Sequence, residues 1–327
     1  MRATAAGILL ILVAGGLTFY FQPLQVNDAV IRYHLWRSHV HSRYVQVDGY
    51  DLHYFDAPPT VHTSPEVPLL LIHGLGSRSE DWSPMIPTLA AQGFHVYAPD
   101  LLGYGRSPSP DVDYSISLQE RTVVDFLNAV HIAHADVGGW SMGGWIALKL
   151  TLDHPDRVDR LIVYDSAGVY FPPTFDASLF VPVDDAGLTR LATQLSPIAK
   201  PLPAFVARAA IARLARMERP IRRSVTSMEL GHDLLDFQLY RIDKPTLIVW
   251  GAEDHLIPVA VGLEIHRDIP DSSLLVIPNC GHLAPGECAA PVLKGTIDFL
   301  KAPDADRLSV LDGMPGGCFP DPLEQIF

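Results

Sequence analysis

The sequence predicts an α/β fold with a mostly parallel, eight-stranded sheet, flanked by helices and carrying a helical insertion after the sixth strand. Between residues 44 and 301, short apolar runs alternate with segments of helical periodicity, a pattern typical of a parallel sheet covered by helices. The alternation stops over residues 168–244, and these 77 residues are far more than one crossover needs. We therefore expect one α/β core, made of residues 44–167 and 245–301, with an inserted subdomain.

Length and composition exclude several classes of protein. The 327 residues are 48% hydrophobic and only 19% charged, which is too apolar for a disordered chain and long enough for a large core. The formal net charge is −13, and no run of Lys or Arg provides the positive surface that phosphate backbones require. Nucleic acid is therefore not an expected partner.

The chain has three cysteines, Cys280, Cys288 and Cys318. They are too few for a disulfide framework, and their spacing is not that of zinc ligands. Cys280 and Cys288 can pair in an oxidising compartment, but we expect free structural thiols.

Residues 1–43 are expected to form a membrane anchor followed by a juxtamembrane helix. Residues 3–21 are 19 consecutive uncharged residues, and as a helix they span roughly 28 Å, close to the thickness of the hydrocarbon core. The alternative is a signal peptide whose cleavage leaves a secreted or periplasmic protein, but the bulky residues 18–23 do not suit a signal peptidase. We therefore predict an uncleaved, single-pass membrane protein.

A second helix is predicted after this segment, because apolar residues recur at steps of three and four. One interpretation places the helix at the membrane interface, and the other packs it on the α/β domain. The apolar stripe consists of Val26, Ala29, Val30, Tyr33, Trp36 and Val40.

The sheet is predicted to begin with an antiparallel hairpin and to continue in parallel strands. Asp48-Gly49 separates the alternating segments 44–47 and 52–55, and Asp-Gly between such segments is a strong hairpin signal. Short apolar runs then predict six buried strands. These are residues 68–73, 95–99, 135–139, 161–165, 246–250 and 274–277.

Helices are predicted between these strands. Ser117 and Glu120 form a capping box that begins a helix ending near residue 130. Two further helices are expected over residues 142–154 and 289–301.

The insertion has helical periodicity over residues 185–194 and 204–217. Because open α/β sheets bind ligands at their carboxyl edge, we expect residues 168–244 to form a cap over that edge. The apolar residues of this cap also have a simpler interpretation, which is that they form its own small core. Residues 302–327 are rich in Pro, Gly and Asp and are predicted to form a mobile tail.

A candidate nucleophile lies at the end of the fifth predicted strand. The segment Gly139-Trp140-Ser141-Met142-Gly143 has the form G-x-S-x-G and stands between a strand and a helix. In that setting a sharp turn exposes the serine Oγ, and side chains on the flanking glycines would collide with the neighbouring strand and helix. We therefore predict that Ser141 is a catalytic nucleophile.

A serine hydroxyl needs an imidazole that removes its proton and a carboxylate that orients the imidazole. Asp254 follows the seventh predicted strand and His282 follows the eighth, so both are expected at the same sheet edge as Ser141. The order Ser, Asp, His matches that of enzymes with this motif. Asp165 also ends a strand and is the alternative orienting acid.

Two backbone N–H groups are predicted to hold the oxyanion of a tetrahedral intermediate. Met142 begins the helix after the nucleophile, where the N–H group has no partner within the helix. Gly74 and Gly76 flank Leu75 after the third strand, so that the N–H of Leu75 can turn inward. The segment 100–107 after the fourth strand is interpreted as structural support for these loops.

These motifs together resemble the α/β-hydrolase superfamily over roughly residues 44–301. The segments that carry the resemblance are H-G-L-G at 73–76, D-L-L-G-Y-G-R-S at 100–107, G-W-S-M-G-G at 139–144, G-A-E-D at 251–254 and G-H at 281–282. The resemblance implies the α/β-hydrolase fold and a Ser-His-Asp hydrolase that needs no cofactor. The predicted anchor and residues 31–36 also resemble membrane-anchored monoacylglycerol lipases.

Departures from related enzymes narrow the expected chemistry. Ser141 stands where epoxide hydrolases and haloalkane dehalogenases carry Asp, which argues against both reactions. Leu283 stands where carbon-carbon bond hydrolases of aromatic degradation usually have an aromatic residue, and Leu75 stands where cofactor-free haloperoxidases usually have one.

We therefore expect a membrane-anchored carboxylic ester hydrolase that acts through an acyl-enzyme on small or lipid-like esters, with monoacylglycerols as one candidate. The alternatives on the same fold are carbon-carbon bond hydrolysis and acyl transfer. The alternative outside enzymes is a receptor that retains a ligand in the same fold without turnover.

Overall fold

Eight strands form a single sheet in the computed structural model, which describes residues 13–61, 67–173 and 175–302. The strands are β1 (His41–Val47), β2 (Tyr50–Ala57), β3 (Val67–Ile72), β4 (Phe94–Pro99), β5 (Ala135–Trp140), β6 (Val158–Tyr164), β7 (Thr246–Gly251) and β8 (Ser272–Ile277). Their order is β1-β2-β4-β3-β5-β6-β7-β8. The pairs β1·β2 and β2·β4 are antiparallel, and all later pairs are parallel. The predicted sheet, including its antiparallel start, is confirmed.

Helices cover both faces of this sheet. They are α1 (Pro23–Arg37), α2 (Ile86–Ala91), α3 (Ile116–Ala129), α4 (Met142–Asp153), α5 (Asp185–Leu195), α6 (Ala204–Arg216), α7 (Glu218–Glu229), α8 (Val259–Asp268), α9 (Ala284–Glu287) and α10 (Ala289–Lys301). Within β6, Leu161 and Val163 pack into the core on one face, while Ile162 and Tyr164 pack into the core on the other. Because both faces are covered, the inner strands are continuous apolar runs in the sequence.

The start of α3 differs from the prediction. Its N-cap is Ser115, whose Oγ accepts a hydrogen bond from the N–H of Leu118 at 3.2 Å. The hydroxyl of Ser117 instead donates to the carboxylate of Asp233, which lies between α7 and β7. The side chain of Ser117, which the local sequence pattern assigns to the helix cap, therefore binds a residue distant in sequence instead.

The helices α5, α6 and α7 lie between β6 and β7, in the segment 168–244. The bounds of α5 and α6 agree with the sequence prediction to within one residue, whereas α7 was not predicted. Hydrogen bonds join this insertion to the core: Trp145 Nε1 donates to the carbonyl of Asp233 at 2.7 Å, and the hydroxyls of Tyr104 and Ser224 lie 2.9 Å apart. Whether the insertion acts as a cap on a bound substrate stays a prediction.

The described part of the N-terminal segment does not form the predicted membrane span. Residues 13–21 are helical, and Gln22 separates them from a new helix that begins at Pro23. In the part of the chain that the structure describes, no helix is long and apolar enough to cross a membrane. Tyr20 stacks on Phe205 of α6, with ring centroids 5.2 Å apart, and Phe19 meets the same ring edge-on at 5.6 Å. The prediction of a single-pass membrane protein is therefore wrong.

Parts of two predicted segments lie outside the described residues. They are residues 1–12 of the expected span and residues 303–327 of the expected tail.

The helix α1 packs on the α/β domain, as in the second of the two interpretations. Leu35 is 2% exposed and joins the core, and Asp28 is also buried. Tyr33 and Trp36 of the apolar stripe are exposed. The packed face therefore differs from the stripe that the periodicity indicates.

A disulfide joins Cys280 and Cys288, whose Cα atoms are 6.3 Å apart. The expectation of free thiols is therefore wrong. The short helix α9 turns the chain back between the two cysteines, which brings their side chains together. A spacing of eight residues does not by itself predict that turn.

A buried carboxylate connects α1 with the insertion and with the loop after β3. Asp28 accepts hydrogen bonds from Arg78 at 3.1 and 2.7 Å and from Arg213 of α6 at 2.7 Å. Burial favours a higher pKa for Asp28, but the hydrogen bonds and charges of the two guanidinium groups hold it below its usual value. Asp28 is therefore ionised and stabilises the relative position of three elements.

We expect Asp28→Asn to lower the free energy of unfolding by about 2 kcal/mol, because two partly buried guanidinium groups lose their carboxylate. Urea denaturation followed by circular dichroism measures this change. The control is Glu218→Gln, which removes an exposed ion pair with Arg222 and should cost less than about 0.5 kcal/mol. Equal losses in the two variants would contradict the stabilising role of Asp28.

Candidate active site

Ser141 occupies a strained turn between β5 and α4. Its φ and ψ angles are 57° and −119°, which few residues other than glycine adopt. The turn is possible because two neighbours lack side chains: a Cβ at Gly139 would lie 2.2 Å from the carbonyl oxygen of Gly143, and a Cβ at Gly143 would lie 2.2 Å from that of Ile72. The turn directs Ser141 toward the carboxyl edge of the sheet.

Ser141, His282 and Asp254 form a hydrogen-bonded chain at this edge. Nε2 of His282 lies 2.9 Å from Oγ of Ser141, and Nδ1 of His282 lies 2.7 Å from Oδ2 of Asp254. The other oxygen of Asp254 accepts hydrogen bonds from the N–H groups of Leu256 and Ile257, both at 2.9 Å. This arrangement fits a neutral imidazole whose Nδ1–H donates to Asp254 and whose Nε2 accepts from the Ser141 hydroxyl.

Asp165, the alternative orienting acid, has a different environment. It is fully buried, and its Oδ1 accepts a hydrogen bond from the N–H of Gly251 at 2.7 Å. Burial, and then the negative charge of Asp254, raise the pKa of Asp165 well above its usual value. Asp254 is the acid that hydrogen-bonds directly to His282, so the geometry assigns the contact with the imidazole to Asp254.

The loop after β3 lies directly against the nucleophile. A Cβ added to Gly74 would lie 3.1 Å from Cβ of Ser141 and 3.6 Å from its Oγ. The next residue, Leu75, borders the same space, and Met142 is the first residue of α4. The two candidate oxyanion donors are therefore near Ser141, and their role stays a prediction.

A buried hydrogen-bond network lies beneath this loop. Asp100 pairs with Nδ1 of His53 at 2.7 Å and accepts hydrogen bonds from the N–H groups of Ser79 and Arg106. Burial favours a higher pKa for Asp100, but the hydrogen bond and charge of His53 outweigh it and lower the pKa to about 2. Nε2 of His73 accepts from the N–H of Leu101 at 3.0 Å. Asp100 thus stays ionised and connects two loops at the carboxyl edge, in keeping with a structural role for the segment 100–107.

Two cavities border Ser141. The larger has a volume of about 240 Å³ and lies between the core and the insertion, where its lining includes Trp145, Phe171 and Met228. The smaller has a volume of about 170 Å³ and includes His282 and Asp81. Leu75 lines both cavities. Ser141, the candidate nucleophile, therefore lies where a cavity lined by His282 meets a mainly apolar one.

The charged groups along these cavities are few. Among the described lining residues, Glu229 is the acidic residue of the larger cavity, and Asp81 is the acidic residue of the smaller one. Neither set of described lining residues includes Lys or Arg.

Several residues at this site were missed by the sequence analysis. Trp140 donates from Nε1 to the carbonyl oxygen of His282 at 2.7 Å and thus holds the backbone of that loop. Trp140 occupies a variable position of G-x-S-x-G, so the motif assigns it no role. Phe180 lines both cavities, but only the folded insertion brings this residue close to Ser141.

Comparisons with known proteins agree with this fold. Residues 67–287 match the family model of the alpha/beta hydrolase fold. A 2-hydroxymuconate semialdehyde hydrolase from a Pseudomonas species is 33% identical over 258 residues, which cover 74% of this chain and 89% of the relative.

Two solved structures are similar over most of the chain. A membrane phospholipase A described as a bacterial virulence factor has a TM-score of 0.76 and 26% identity, covering 92% of this chain and 98% of that one. A serine hydrolase involved in carbazole degradation has a TM-score of 0.68 and 28% identity, covering 80% and 98%. The chain therefore belongs to the α/β-hydrolase family.

Proposed function

We propose that this protein is a serine hydrolase that cleaves carboxylic esters of neutral, apolar acyl groups. The observation that carries the proposal is the hydrogen-bonded chain from Ser141 through His282 to Asp254. Ser141, at one end of this chain, borders a mainly apolar cavity. A serine activated in this way attacks acyl carbonyl groups, and the apolar cavity provides room for the acyl chain.

The proposed reaction proceeds through an acyl-enzyme. Oγ of Ser141 attacks the ester carbonyl carbon while Nε2 of His282 takes the serine proton, and Asp254 stabilises the imidazolium that forms. The N–H groups of Leu75 and Met142 hold the oxyanion. His282 then protonates the leaving alcohol, and water repeats the sequence to release the acid and restore Ser141.

The two cavities suggest where each half of an ester lies. The leaving alcohol takes its proton from His282, and that side chain lines the smaller cavity, so we place the alcohol there. The acyl chain then occupies the larger cavity. Its volume is about 240 Å³ and its lining is mainly apolar. We therefore propose a preference for medium-length acyl chains, as in medium-chain monoacylglycerols, with the octanoyl ester as the reference substrate.

The charge of the cavities favours a neutral acyl group. A carboxylate buried in either cavity would need a cationic partner, and the described lining residues include no Lys or Arg. Carbon-carbon bond hydrolysis is the second candidate, because a relative at 33% identity is a 2-hydroxymuconate semialdehyde hydrolase. The substrate in that name carries a carboxylate, so the charge of the cavities distinguishes the two candidates. Faster turnover of 2-hydroxymuconate semialdehyde than of p-nitrophenyl octanoate would replace our proposal by this candidate.

Ser141→Ala is expected to lower the rate of p-nitrophenyl octanoate hydrolysis by more than about 10³-fold, because no other group takes over the nucleophilic attack. Release of p-nitrophenol measures the rate. A fluorophosphonate probe should label the wild type and leave the variant unlabelled. Full activity in the variant would refute the proposed nucleophile.

Two isosteric variants separate the roles of the buried acids. Asp254→Asn should lower kcat by about 10³- to 10⁴-fold, because the amide cannot stabilise the imidazolium. Asp165→Asn should change kcat by less than about threefold, because Asn keeps the oxygen that accepts from Gly251, Asp254 keeps its contact with His282, and Asn tolerates the φ of 44°. Steady-state kinetics at neutral pH measure both values, and the reverse order of effects would make Asp165 the orienting acid.

A series of p-nitrophenyl esters from acetate to palmitate should give the highest kcat/KM at a medium acyl length, above the values for both acetate and palmitate. Val225→Phe fills part of the larger cavity and should move this optimum to shorter chains. Leu191→Phe makes a similar change in the smaller cavity and should leave the optimum in place. A shift with Leu191→Phe but not with Val225→Phe would reverse the assignment of the two cavities.

A further inference from the structure

The segment that carries His282 is closed into a ring by the disulfide between Cys280 and Cys288. His282 lies two positions after Cys280 and within the ring. The ring begins after β8 and contains the short helix α9. Any change in the path of this segment therefore moves the imidazole relative to Ser141.

The disulfide attaches this segment to a fixed part of the fold. Cys288 is the N-cap residue of α10. This helix packs into the core through Val292 and Phe299, which are 0% and 2% exposed. Thr296 of the same helix lies 2.9 Å from the hydroxyl of Tyr164 in β6. One end of the disulfide is thus held by the sheet itself.

The other end of the disulfide, at Cys280, is close to the loop that carries Asp254 and to the turn that carries Ser141. The carbonyl oxygen of Cys280 accepts a hydrogen bond at 2.8 Å from the N–H of Glu253, the residue before Asp254. The carbonyl of His282 accepts a second hydrogen bond from Trp140. Residues 278–283 belong to neither a strand nor a helix, so a regular ladder of backbone hydrogen bonds does not fix them.

We propose that the Cys280–Cys288 disulfide is a positioning element for His282, and that its reduction lowers turnover without unfolding the enzyme. The inference rests on the proposed function of His282 as the general base. A misplacement of a catalytic group by about 1 Å can cost about 100-fold in rate. We therefore expect kcat to fall by about ten- to 100-fold on reduction.

Reduction requires a dithiol such as dithiothreitol. Its two thiols form a disulfide, and Cys280 and Cys288 each gain a hydrogen, so one sulfur-sulfur bond breaks while another forms. Cys288 is half-buried and follows the exposed Gly286 and Glu287, whereas Cys280 is 1% exposed. The attacking thiolate is therefore expected to reach the sulfur of Cys288 first.

The test compares the wild type with Cys280→Ser/Cys288→Ser and with Cys318→Ser, each before and after treatment with dithiothreitol. Hydrolysis of p-nitrophenyl octanoate gives kcat and KM, and circular dichroism follows folding and Tm. For the wild type and Cys318→Ser we expect kcat to fall after reduction and to return on reoxidation, while KM changes less than about twofold. The double variant should have the low kcat from the start and should not respond to dithiothreitol.

Three results would overturn the proposal. These are an unchanged kcat in the reduced wild type, a loss of kcat that parallels unfolding, and a response to dithiothreitol that disappears in Cys318→Ser. Fluorophosphonate labelling of oxidised wild type separates failure of the proposed function from failure of this inference. Oxidised enzyme that neither labels nor turns over would refute both, whereas labelling at a rate unaffected by reduction would refute the positioning role alone.

Discussion

The turn at Ser141 is the constraint on which the rest of the site depends. Its positive φ angle costs free energy, and it persists because β5, α4 and the end of β3 leave space only for glycine at positions 139 and 143. Held in this way, the serine hydroxyl meets the imidazole of His282 at 2.9 Å. The fixed backbone geometry of the sheet thus fixes the distance between the proposed nucleophile and its proposed base.

The sequence could predict those parts that depend on local chemistry. Alternating apolar runs located the strands, and G-x-S-x-G together with two loop residues at strand ends located Ser141, Asp254 and His282. The disulfide was missed because it depends on the fold of α9, which spacing does not specify. The apolar stripe of α1 was misleading for a similar reason: Asp28 faces the domain because Arg78 and Arg213 meet it there, and both are distant in sequence.

The charges around the nucleophile bear on how this chain differs from its relatives. A relative at 33% identity is named for a muconate substrate, while a structure covering 92% of the chain is a phospholipase A. The proposed triad serves either chemistry, so we expect the discrimination to come from the cavity walls. The described lining residues are mainly apolar and include no Lys or Arg, which is why we propose a neutral acyl ester.

The central claim is that all esters of one acid pass through the same acyl-enzyme on Ser141 before the acid is released. Partitioning of this intermediate between water and methanol tests the claim most directly. Octanoyl esters with different leaving alcohols would be hydrolysed in dilute methanol, and the ratio of methyl octanoate to octanoate would be measured. The leaving alcohol has departed before water or methanol attacks a shared acyl-enzyme, so the account predicts one ratio for all esters. It also predicts neither product with Ser141→Ala. A ratio that changes with the leaving alcohol would contradict the account.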